Sequence, residues 1–132
     1  MIPCIIGIII KGNKVLAEKR PETETYCKGE VGLPAGHVEQ KESLEKALKR
    51  EMLEELGIKV LKARHFCSDP FLLQGKAFKF HYFLCLEWLG KPESIEAGKL
   101  MWLTKKQLSK LTYARQRFIA RRALTKSQNK VM

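Results

Sequence analysis

The succession of local signals along this 132-residue chain predicts an α+β fold. Three observations lead there. Ile2 to Ile10 and Lys76 to Trp88 carry strand signatures, β-branched in the first case and alternating in the second. Between them, Ser43 to Gly57 is a run of strong helix formers with a start signal and a stop signal. The resulting order of strand, strand, helix, strands and helix lacks the regular βαβ alternation of a doubly wound sheet. At 45% hydrophobic residues the chain suits one ordinary core, so residues 1–132 read as a single domain.

Taken in order, Ile2 to Ile10 reads as a buried strand and Lys14 to Arg20 as its hairpin partner, with Gly12-Asn13 supplying the turn. Pro21 to Gly29 is polar and aperiodic, hence a loop. Glu30 to Val38 leads into the helix. Ser43 is a favourable N-cap, and Gly57 stands where a C′ glycine ends a helix of about three to four turns. Leu48, Met52 and Leu56 form its apolar stripe. Ile58 to Cys67 suggests the next strand, with a turn at Asp69-Pro70. Phe78, Phe80, Tyr82, Leu84, Leu86 and Trp88 then alternate along a long strand with one apolar side. Thr104 and Gln107 make a capping box for a helix reaching about Leu111. A very basic helix follows at about 113–126, with Phe118, Ile119, Ala123 and Leu124 available for packing.

The four cysteines, Cys4, Cys27, Cys67 and Cys85, are widely spaced and form no CxxC pair, which argues against a zinc site or a disulfide framework and for reduced thiols. The apolar start is too short to span a membrane and has no basic leader, so a cytoplasmic protein without membrane association is expected. Net charge is +11, yet no acid follows Glu96. Such a field attracts polyanions such as nucleotides, and RNA held by the basic terminal helix is a second reading beside an ordinary solvated helix.

Chemistry concentrates in residues 36–58, GHVEQKESLEKALKREMLEELGI. Glu51, Glu54 and Glu55 share one side of the helix, because positions three and four apart are neighbours. Like charges at this spacing cost a few tenths of a kcal/mol per pair, roughly, so helix stability does not explain them. A hard divalent cation does, since Mg²⁺ prefers oxygen ligands and binds carboxylates together with substrate phosphates. The wider pattern is Gly36, five residues, Glu42, seven residues, Arg50-Glu51-Met52, one residue, Glu54-Glu55, one residue, Gly57-Ile58. This resembles, at every specified position, the signature of the Nudix hydrolases, the MutT-related family. A chance match in a chain of this length is on the order of 10⁻⁸.

The resemblance implies the Nudix fold, a mixed β-sheet sandwiched between α-helices. It implies Mg²⁺-dependent hydrolysis of a phosphoanhydride in a nucleoside diphosphate derivative, with Mn²⁺ as an alternative ion. Glu54 and Glu55 would be metal ligands, joined by Glu51, the Ala35 carbonyl and Glu96; the general base is left open between Glu51 and Glu96. Arg50 would orient Glu51, while Gly36, Glu42 and Gly57 would be structural, Glu42 with an outer metal as its alternative. Lys19 and Arg20 would meet substrate phosphates and Tyr26 would stack on a base. Two departures from the family stand out: Val31 replaces a common aromatic, and Pro34-Ala35-Gly36 replaces Pro-Gly-Gly. His37, inside the turn, is a surface histidine or a base. The implied substrate is a nucleoside triphosphate, oxidised ones included, split into monophosphate and pyrophosphate. ADP-ribose or another nucleoside diphosphate sugar is the alternative, and a non-catalytic nucleotide- or RNA-binding module is the rival of another class. Homodimerisation is a family habit.

Overall fold

The computed structural model describes residues 1–21, 29–95 and 98–131, with side chains to residue 127. In chain order the described elements are β1 (Ile2–Ile8), β2 (Ile10–Lys11), β3 (Lys14–Lys19), β4 (Val31–Gly32), β5 (Ala35–His37), α1 (Leu44–Leu56), β6 (Lys59–Leu73), β7 (Lys76–Leu89), β8 (Lys99–Leu103), a 3₁₀ helix (Lys105–Lys110) and α2 (Ala114–Val131). One sheet has the order β5-β1-β7-β6; a second has β2, β3 and β4, with β8 also on β3. β1 and β7 run parallel from Ile2↔Phe78 to Ile8↔Leu84, whereas the other pairings are antiparallel. This is the α+β architecture with a mixed sheet between helices.

β1 is the partition of the molecule. A strand covered on both faces reads as a continuous apolar run, and its alternate residues serve two cores. Ile6 and Ile8 join Tyr82, Leu108, Ile119 and Leu124 on the α2 side. Ile5 joins Leu48, Met52, Leu56 and Phe83 on the α1 side. Gly7 permits the close seat of α1, since a Cβ there would stand 2.7 Å from the Met52 sulfur.

The structure corrects four expectations. The initial run is not one hairpin strand: it breaks at Ile9, and only Ile10 and Lys11 pair with β3, while the preceding residues join β7 in the other sheet. Periodicity cannot say which sheet a continuous apolar run enters. β6 does not turn at Asp69-Pro70 but continues to Leu73, and the turn falls at Gln74-Gly75, both with positive φ (50° and 77°). Pro70 is tolerated because β6 is an edge strand. The apolar side of β7 does not reach its end. Leu86 is exposed, Trp88 packs with the α1 core, and Phe83 and Cys85 bury the opposite face. Finally, Phe118 faces outward at 50% exposure, and Ala120 takes a place in the core.

Candidate active site

Helix α1 is placed by its ends and its buried stripe. The Ser43 hydroxyl accepts from the Lys46 amide at 3.2 Å. At the other end Gly57 has φ 70°, and the Gly57 and Ile58 amides return to the Leu53 and Met52 carbonyls. The Glu93 and Ile95 amides bind the Leu56 and Glu55 carbonyls, satisfying acceptors that a helix end leaves open. With Ala47, Leu48, Met52 and Leu56 buried, Glu51, Glu54 and Glu55 stand at the border of the core. Gly36 on β5 completes the placement: a Cβ there would overlap the Glu51 carboxyl, so Glu51 keeps this position only with glycine at 36.

Arg50 ties the acids together. Its Nε donates to Glu42 Oε2 at 2.8 Å and its Nη2 to Glu42 Oε1 at 2.9 Å, a two-pronged pairing. Nη1 donates to Glu51 Oε1 at 2.8 Å and to Glu54 Oε2 at 3.3 Å, and Nη2 also reaches the His37 carbonyl at 2.9 Å. The Glu39 amide donates to Glu42 Oε1 at 3.0 Å. The Arg50 guanidinium, helped by this amide, holds the Glu42 carboxyl down at about 2, and Glu42 in turn pushes the Arg50 pKa upward. His37 thus enters the site through its backbone; its ring is exposed near Phe78, centroids 6.3 Å apart.

Among the described residues, no three His, Cys, Asp or Glu side chains form a closed metal cage. The donor chemistry nevertheless suits a hard cation that keeps water and substrate oxygens as further ligands. The carboxylates of Glu51, Glu54 and Glu55 lie on one side of α1, and the Glu51 carboxyl is pressed against Gly36, next to Ala35. Glu51 is 13% exposed and Glu54 55% exposed at the side chain. Glu96 and Tyr26 lie outside the described residues.

Ala35 also lines an open cleft of about 590 Å³, open solvent included, on the α2 side of the sheet, so the cleft begins beside the acidic cluster. Arg20 lines this cleft, and its amide donates to the Glu30 carbonyl at 2.9 Å. Lys19 does not line it. Neighbouring strand residues point to opposite faces, so Glu18 and Arg20 reach the cleft while Lys19 is exposed.

The cleft's apolar wall was not anticipated. Phe71 stacks on Phe80 with centroids 5.2 Å apart at 25°, and Tyr113 meets Phe71 edge-on at 5.0 Å. Val31 is part of the lining, and these rings supply the aromatic surface that it lacks. Two long-range bonds order the polar groups. The Tyr113 hydroxyl donates to Glu30 Oε2 at 2.7 Å, and the Leu33 amide donates to Gln116 Oε1 at 2.9 Å. Gln116 is buried, and a signal for it existed: Ile119 and Ala120, three and four residues on, share its buried face. Of the four thiols, Cys27 lies outside the described residues, and Cys4, Cys67 and Cys85 are free. Burial, with Glu51 nearby, pushes Cys4 up to about 11, and burial pushes Cys85 up to about 12, so both stay protonated near neutrality.

The NUDIX domain model matches residues 2–123. The chain belongs to the NUDIX domain family. Curated relatives include two 8-oxo-dGTP diphosphatases of Buchnera aphidicola. That of subspecies Acyrthosiphon pisum is 40% identical over 77 residues, 58% of this chain and 62% of the relative. That of subspecies Schizaphis graminum is 37% identical over 100 residues, 75% and 74% of the two chains. The match to the first of these spans under two thirds of its length. An NAD-capped RNA hydrolase NudC of Vibrio vulnificus is 32% identical over 110 residues, covering 82% of this chain but 40% of that protein. Among solved structures, the MutT protein of Bacillus halodurans superposes with a TM-score of 0.76 at 26% identity, covering 94% of this chain and 82% of the other. Among the described residues of this NUDIX chain, no helix is long and apolar enough to cross a membrane.

Proposed function

We propose that this chain is a divalent-cation-dependent nucleoside triphosphate pyrophosphohydrolase, converting its substrate with water to nucleoside monophosphate and pyrophosphate, and that oxidised guanine nucleotides are preferred. The observation that carries the reading is the junction at β5. There Glu51 of the Arg50-centred acidic cluster lies against Gly36, beside the residue that opens the aromatic cleft. The names of the 8-oxo-dGTP diphosphatase relatives support the same substrate class.

Glu51, Glu54, Glu55 and the Ala35 carbonyl would hold Mg²⁺ or Mn²⁺, with Glu96 as a further donor. When bound, such a cation offsets phosphate charge and makes bound water a stronger acid. Arg50 fixes the rotamer of Glu51, which either joins the cation's ligands or accepts a proton from attacking water, Glu96 being the other candidate base; Glu42 holds Arg50. Arg20 is the cation at the cleft for the polyphosphate, and Phe71 and Phe80 form the wall for the base. Gln116 adds selectivity. Its Oε1 is committed to the Leu33 amide, so its Nε2 is left as a donor, which suits the carbonyl edge of an oxopurine better than the amino edge of adenine.

The test is product analysis over a panel of nucleoside triphosphates, 8-oxo-dGTP, ADP-ribose and NAD, with and without Mg²⁺. Monophosphate plus pyrophosphate, formed only with the cation and most rapidly from 8-oxo-dGTP, is expected. AMP plus ribose 5-phosphate as the dominant product would replace the substrate assignment, and binding without turnover would replace the enzyme by a binding module. In the same assay Glu55→Gln should lower kcat by at least about 10²-fold while the circular dichroism stays unchanged, since even residues behind metal ligands cost roughly 10–100-fold. Wild-type turnover of that variant at saturating Mg²⁺ would remove Glu55 from the site.

A further inference from the structure

The outer side of α2 carries a feature the hydrolytic site does not use. Arg115, Phe118, Arg122 and Lys126 recur three or four residues apart, so they form one stripe along about 16 Å of helix. Phe118 is half exposed, with the Arg115 guanidinium 5.5 Å and the Arg122 guanidinium 5.8 Å from its ring centroid. Lys126 stands 5.3 Å over the Phe66 ring of β6, and Arg64 of β6 shares a groove with Lys126. The stripe therefore continues onto the neighbouring strand.

Its charge has little compensation. No Asp or Glu occurs in the chain after Glu96. Arg115 pairs with the buried Asp69 beneath it. Arg117 is turned away to the Leu111 and Thr112 carbonyls, so it is not part of the stripe.

We propose that the seam between α2 and β6 binds single-stranded nucleic acid, with bases stacking on Phe118 and phosphates meeting Arg64, Arg122, Lys126 and the outer side of Arg115. An exposed ring flanked by cations is the arrangement that holds an unpaired strand without reading its sequence. A duplex hides its base faces and gains nothing from the ring. An anionic membrane is the poorer fit, because a surface-lying helix needs an apolar face, and Ile119, Ala120, Ala123 and Leu124 are all buried in the core.

The full chain is tested by fluorescence anisotropy with labelled oligo(U) and oligo(dT) of about 12 nucleotides, within the usual site size, and with a duplex of equal length. Single strands should bind more tightly than duplex, and raising salt from about 50 to about 200 mM should weaken binding with a log–log slope of about −2 to −3, as three to four phosphate contacts require. Phe118→Ala should weaken single-strand binding by roughly 5- to 150-fold, and Phe118→Trp should restore it. Arg122→Ala should reduce the slope by a little under one. Thermal melts verify that each variant is folded; Phe118 is exposed enough that its loss leaves no cavity. Phe118→Ala binding like wild type, no saturable binding near 50 mM salt, or a preference for duplex would overturn the proposal. So would binding to phosphatidylserine vesicles that exceeds oligonucleotide binding and depends on Phe118.

Discussion

The acidic cluster on α1 and the aromatic cleft below α2 share one sheet but hold their polar groups in different ways. On α1 a single guanidinium serves Glu42, Glu51, Glu54 and the His37 carbonyl, all within a short stretch of chain. In the cleft, polar groups are held by bonds between distant parts of the chain, among them Tyr113 to Glu30 and the Leu33 amide to Gln116. A shared hub makes geometry collective, so a small displacement affects every acid at once. Separate long-range bonds make the cleft adjustable group by group. Substitutions on the α1 side should therefore act on kcat, and those in the cleft on choice of substrate.

The strongest test of that division is Gly36→Ala. The added Cβ would overlap the outer half of the Glu51 side chain, which can swing aside because it is flexible. Stability should change little, while Glu51 leaves its place beside Arg50. A displacement of about 1 Å near reacting groups costs on the order of 10²-fold, so kcat should fall by about that factor with KM nearly constant. A large drop in melting temperature together with lost activity would instead mean that Gly36 matters for packing alone.

On the other side, Gln116→Glu keeps the acceptor for the Leu33 amide but replaces the amide donor by a carboxylate oxygen. The ratio of kcat/KM for guanine-type over adenine-type substrates should fall by about 10- to 100-fold, the usual scale when a site's polar partner is mismatched. An unchanged ratio with a uniformly lowered rate would show that Gln116 only supports β4 and the turn after it.

The same division explains what could be read from the chain directly. The α1 cluster depends on helix periodicity, an N-cap, a C′ glycine and fixed spacing, and all of these are local. The cleft depends on which strands meet. Phe71 falls after Asp69-Pro70, where a turn was expected, and it reaches the cleft only because β6 runs on to Leu73 as an edge strand. Lys19 and Arg20 looked equivalent as a pair of charges; strand alternation separates them. Phe118 looked like core because it is apolar, yet its neighbours at 119, 120, 123 and 124 already fill the buried face.

The smallest effect concerns Glu42, which holds the hub without being asked to do chemistry. Its folded-state pKa is depressed from about 4.5 to about 2 by hydrogen bonds from Arg50 and the Glu39 amide. A depressed carboxylate contributes stability that is fully present above its unfolded pKa and is lost as pH falls through the folded one. The difference in melting temperature between wild type and Glu42→Gln should therefore be constant from neutrality down to about pH 5, shrink below that, and approach zero near pH 2. A difference that persists unchanged at the lowest pH would mean that the Glu42–Arg50 pairing contributes through shape rather than charge. The hub would then be held in place by the packing of β5 on α1, and Gly36, not Glu42, would be the residue on which the orientation of Arg50 depends.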